Sequence, residues 1–144
     1  MWFQNNYLSV DEVYTLLDKI QTGFPEIAST FELGKSYLGN SIKGLVFAAP
    51  NSVLFKPTPF DLQPGFDVKS SADSRPSILI DAAHHARELT SVSQVMYTML
   101  RFLHCYMNND PETKTVLGTS AIYFVPMVNL DGYARITSIY STTK

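Results

Sequence analysis

Along the first third of the chain, apolar residues recur at helical spacing and then at strand spacing. Val10, Val13, Leu17 and Ile20, with Tyr14 and Leu16 beside them, repeat every three to four residues, and Gly23 with Pro25 ends the run. Ser9 precedes this stripe and Glu12 follows it by three. That pairing sets a hydroxyl at a helix N-cap and a carboxylate able to bond back, and predicts a helix over 10–22. Two β-prone runs in TFELGKSYLGNSIKGLVFAA flank Leu38-Gly39-Asn40-Ser41, where Gly and Asn tolerate the positive φ of a tight turn. They predict an antiparallel hairpin over 30–36 and 42–48. From 50 to 76 the pattern lapses into five prolines, serines, aspartates and scattered apolar residues, the composition of a long surface loop or insertion.

The second half reads as a strand, a helix and a strand. Ser77 to Ala83 is an apolar run without alternation, which predicts a strand covered on both faces at the centre of a largely parallel sheet. Val92, Val95, Met96, Met99 and Leu103 form the apolar stripe of a helix over 88–107, halted by Asn108-Asn109-Asp110-Pro111. Ala121 to Val128 is a second β-prone run, leading into the turn-forming Asn129-Leu130-Asp131-Gly132. Such a βαβ unit carries its ligand sites beyond the C-terminal ends of the strands, which points to residues 82–88 and 129–133.

Composition changes this picture little. With 144 residues, 45% of them hydrophobic, there is material for one compact core, so a single domain over 1–144 is expected. Thirteen acidic and eleven basic residues are dispersed along the chain and form no basic block, which argues against nucleic acid as a partner. No stretch nears the roughly 18 consecutive apolar residues of a membrane span. MWFQNNYLSVDEV meets Asp11 and Glu12 too soon for a signal peptide, and the single Cys105 leaves the redox compartment open, so localisation is not assigned.

The candidate chemistry lies in Asp81-Ala82-Ala83-His84-His85-Ala86-Arg87-Glu88, where a buried strand is expected to give way to a helix. His85 and Glu88 are three apart, so imidazole and carboxylate can meet on one metal ion. Taken alone, His-x-x-Glu is a weak pattern, and Glu88 would also be favourable simply as negative charge at a helix N-terminus. Core packing does not explain four polar side chains at the mouth of a sheet, so the functional reading is preferred. His84, if the backbone is extended, projects away from His85. His104 lies sixteen residues beyond Glu88 on the same helix, about 24 Å away, so neither it nor Cys105 can join such a site.

GKSYLGNSIKGLVF, ILIDAAHHARELTS and FVPMVNLDGYARI, in that order after an opening helix, resemble the first half of the funnelin zinc carboxypeptidases, peptidase family M14. The resemblance implies an α/β fold: the N-terminal part of a mixed, mostly parallel central sheet flanked by helices, incomplete at Lys144. It implies Zn2+ as the metal, held by His85 and Glu88. Arg87 would face the cleft that receives a peptide or protein C-terminus, and Asn129 and Asp131 would shape the neighbouring loop. Leu89 and Leu130 depart from the family's tryptophan and proline without removing a ligand. The resemblance supplies no counterpart here for the third zinc ligand, the general-base glutamate or the groups that hold the substrate carboxylate. No catalytic residue is therefore assigned in this chain, and hydrolysis by it alone is expected to be slow or absent. A missing C-terminal half or a partner chain is expected to complete it. Relatives are often secreted. Two alternatives stay open: a degenerate, non-catalytic peptide- or metal-binding module, and a related zinc amidohydrolase acting on small acylated amino acids.

Overall fold

The computed structural model describes residues 7–49 and 76–142, and the proline-rich segment expected as a loop lies almost wholly outside them. Helix α1 spans Val10–Gly23, and the anticipated capping box is formed in full. The Glu12 amide donates to Ser9 Oγ at 3.3 Å, while Glu12 Oε2 accepts from the Ser9 amide at 2.8 Å. These two bonds satisfy donors that the first helical turn leaves without intrahelical partners. Strands β1 (Ala28–Lys35) and β2 (Ser41–Phe47) pair antiparallel, with Gly39 at φ +84° in the turn between them.

Strand β3 (Ser77–Asp81) is followed by α2 (Leu89–Met107), α3 (Pro111–Thr119), β4 (Ala121–Val125) and α4 (Leu130–Thr142). The sheet order is β1-β2-β4-β3. β4 pairs antiparallel with β2 and parallel with β3, so the sheet is mixed and the βαβ connection is present.

Leu45 and Phe47 of β2 alternate onto one face with Ile122 and Phe124 of β4, and all four are buried. There they join Val13, Leu17 and Ile20 of α1 and Val92, Met96 and Met99 of α2 in one core. The Phe124 ring meets Phe47 and Phe102 edge-on, with centroids 5.8 and 6.4 Å away. Large aromatics remove 150–250 Å² each from water at about 25 cal/mol per Å², so this cluster helps to hold α2 on the sheet.

Two expectations are corrected, and one that holds is extended. Among the described strands β3 lies at the edge and not at the centre, and Ile78 and Leu79 are 48% and 62% exposed. An unbroken apolar run signals cover on two faces but does not identify the neighbours that provide it. Asn108 to Pro111 ends α2, and the same residues also begin α3: Asp110 caps it by accepting from the Thr113 amide at 2.8 Å, and Pro111 occupies its first turn. Finally, Asn129-Leu130-Asp131-Gly132 does not close a free turn but starts α4. Asn129 Oδ1 accepts from the Gly132 amide at 3.2 Å, the work of an N-cap side chain.

Candidate functional site

β3 and β4 end side by side, and the backbone pairing runs on beyond them. The Ala82 amide donates to the Val125 carbonyl, the Val128 amide to the Ala82 carbonyl and the Asn129 amide to the Ala83 carbonyl, at 2.9–3.1 Å. Residues 82–88 and 129–133, singled out from the sequence, are thereby brought together. Asn129 adds a side-chain bond, its Nδ2 donating to the His84 carbonyl at 3.3 Å. The start of α4 approaches so closely that a Cβ on Gly132 would lie 2.8 Å from the Ala86 Cβ.

Ala83 sits at φ +53°, a left-handed conformation that costs energy for a residue with a β-carbon. It turns the chain sharply off the strand into the segment 84–88, which folds over itself before α2 begins. In this segment His85 Nδ1 lies 2.8 Å from Glu88 Oε1, and the two side chains are 79% and 52% exposed. His84 pairs in the other direction, its Nε2 lying 3.2 Å from Asp81 Oδ1. The adjacent histidines thus diverge as the sequence suggested.

Glu88 occupies the N-cap position of α2, yet its side chain makes no capping bond. Its carboxylate turns back to His85 instead. The hydrogen bond to His85, the largest influence, holds its carboxyl below the usual carboxylate range, so it is ionised near neutrality. Imidazole nitrogen and carboxylate oxygen are both zinc donors, and a tetrahedral ion with bonds of about 2.1 Å separates its donors by about 3.4 Å. The observed 2.8 Å is about 0.6 Å shorter than that, and both side chains are exposed, so the pair matches zinc in donor type. Among the described residues no group of three or more His, Cys, Asp or Glu side chains converges on one point.

Arg87 is exposed on the same segment. His104 is remote in the chain, on α2, where its carbonyl accepts from Asn108 Nδ2 at 2.7 Å, and Cys105 is a free, partly buried thiol. Sequence reasoning gave no role to Ser91, whose hydroxyl joins the two ends of the loop: it accepts from the Ala83 amide at 3.1 Å and donates to the Glu88 carbonyl at 2.6 Å. A serine three residues after an N-cap was the only available signal, and the strand end it reaches could not be read from that spacing.

A zinc carboxypeptidase family profile matches residues 13–143. Carboxypeptidase B of Astacus astacus is 31% identical over 129 residues, which is 90% of this chain and 34% of the relative. A Saccharomyces cerevisiae protein named inactive metallocarboxypeptidase ECM14 is 29% identical over 133 residues, covering 92% of this chain and 27% of its own length. Among solved structures, thrombin activatable fibrinolysis inhibitor superposes with a TM-score of 0.68 at 20% identity, over 90% of this chain and 27% of that one. The chain thus spans about a quarter to a third of the proteins it matches.

Proposed function

Since the chain belongs to the zinc carboxypeptidase family, we propose that it contributes part of the zinc site of an exopeptidase that removes C-terminal residues from peptides. The observation that carries this reading is the His85–Glu88 pair, two accessible zinc donors 2.8 Å apart on a sharply turned segment at the C-terminal end of a strand. His85 and Glu88 hold the ion. When bound, zinc lowers the pKa of a coordinated water towards about 7 and polarises a carbonyl oxygen. Arg87 presents a guanidinium to the peptide substrate, where it binds the chain and does not move protons. A catalytic zinc takes three protein ligands, so a third ligand and the general base are assigned to residues other than those described.

The test is a Zn2+ titration of the purified chain followed by amide chemical shifts, which register weak as well as tight binding. Site-specific shifts centred on residues 84–89, lost in His85→Ala and in Glu88→Ala, are expected. A chain that shows no shifts in this segment, or variants that respond as the parent does, would sink the proposal.

A second reading keeps the fold without the hydrolysis, and the 29% identity to a protein named inactive favours it. The two part on a C-terminal peptide substrate incubated with the complete gene product and zinc. Release of the terminal residue selects the enzyme, whereas binding without release selects the inactive module.

A further inference from the structure

We propose that Ser91 is a positioning residue for the metal-binding segment, its hydroxyl setting the backbone from which His85 and Glu88 project. The inference rests on the reading of those two side chains as zinc ligands.

The segment 84–88 leaves the buried Ala82-Ala83 pair and enters one helix, and His85, Arg87 and Glu88 on it are all exposed. Packing therefore does little to fix the two ligands, and their 2.8 Å separation depends on the backbone beneath them. Ser91 Oγ spans that backbone, spending its one hydrogen on the Glu88 carbonyl and a lone pair on the Ala83 amide. The Glu88 carbonyl also accepts from the Ser91 amide at 3.0 Å, so that end survives loss of the hydroxyl. Ala83 is the sensitive end. It is 1% exposed and held at φ +53°, and its amide has the Ser91 hydroxyl as acceptor. Without that acceptor a buried donor is left unsatisfied, in a residue already in an unfavourable conformation. The turn that aims His85 at Glu88 then relaxes. Outer partners that orient metal ligands typically change metal affinity 10- to 100-fold when removed.

The experiment compares the 144-residue chain with Ser91→Ala and Ser91→Thr, reading zinc affinity by titration and the exchange rate of the Ala83 amide. Ser91→Ala is expected to speed Ala83 exchange and weaken zinc binding about tenfold or more. Ser91→Thr keeps the hydroxyl and restores both. If Ser91→Ala loses its helical circular dichroism, the isosteric pair Ser91→Thr and Ser91→Val carries the same comparison at matched volume. A parent chain that binds zinc, with a hydroxyl-free variant that binds it equally well, overturns this inference alone. A parent chain that takes up no zinc overturns the metal reading and this inference with it.

Discussion

Asp131, in the first turn of α4, and Asn40, in the β1–β2 turn, are 91 residues apart in sequence, yet Asn40 Nδ2 donates to Asp131 Oδ1 at 2.9 Å. The same carboxylate accepts from Ser36 Oγ at 2.8 Å and from the Leu38 amide at 3.0 Å. One side chain thus fastens the hairpin tip to the helix that borders the candidate metal segment. At the other edge of that helix start, Gly132 packs on Ala86.

Asp131→Ala is expected to lower the melting temperature by a few degrees and to speed exchange of the Leu38 amide. The three donors, the Asn40 amide first, hold the Asp131 carboxyl below its ordinary 3.8. A depressed folded-state pKa contributes stability above the unfolded value, and that contribution is lost as pH falls through the folded one. The stability gap between parent and Asp131→Ala should therefore be full at pH 6, begin to narrow as pH falls past 3.8 and close only below the depressed folded value. A gap that stays constant down to pH 2, measured by urea titration, would remove the carboxylate from the explanation.

Tyr133 makes the corresponding tie to the N-terminus, its buried phenol donating to the Leu8 carbonyl at 2.7 Å. Tyr133→Phe is expected to cost about 1 kcal/mol, the usual net worth of such a bond. Burial above all, then the charges of Glu12 and Tyr7, push this phenol up to about 12. A raised folded-state pKa means that its contribution is whole below the unfolded value of 10.0 and is lost as pH climbs towards 12. Absorbance at 295 nm should show a phenol, missing from Tyr133→Phe, that ionises near 12, and its titration near 10.0 in the folded chain would contradict the geometry.

Gly44 and Gly23 give opposite expectations for one substitution. A Cβ on Gly44 would meet the Phe31 ring and lie 2.6 Å from the Phe124 carbonyl oxygen, whereas nothing stands within 4 Å of one on Gly23. Gly44→Ala should destabilise by about 1–3 kcal/mol through overpacking. Gly23→Ala, at the end of α1, should stabilise by about 0.4–1 kcal/mol by restricting the unfolded chain. Denaturant midpoints in the reverse order would refute the packing at β2.

Ser9→Ala removes the acceptor of the Glu12 amide and frees the Glu12 carboxylate from the Ser9 hydroxyl. A loss of about 1 kcal/mol is expected, with fraying confined to the first turn of α1. Uniform loss across the chain in amide exchange would mean that the cap does more than hold its own helix.

Local chemistry made much of the chain legible in sequence order. Ser9 with Glu12 marked the start of α1, and Gly39 marked the hairpin. The stripe from Val92 to Leu103 gave α2, and the three-residue spacing of His85 and Glu88 gave their side-chain contact. Each depends on neighbours within a turn or two, where the helix or strand period alone sets which side chains meet. α3 and α4 were hidden because their signals had two meanings. Asp110-Pro111 stops one helix and begins the next, and Asn129 to Gly132 has the composition of a turn and the geometry of a helix start.

Only the tertiary structure decided the rest. That β3 is an edge among the described strands, that Asp131 reaches the Asn40 turn, and that Ser91 ties Ala83 to Glu88 all depend on how separate elements come to lie beside one another. No local period encodes such distances. They follow from burying Leu45, Phe47, Ile122 and Phe124 in one core with the apolar faces of α1 and α2, a constraint that acts on the whole chain at once.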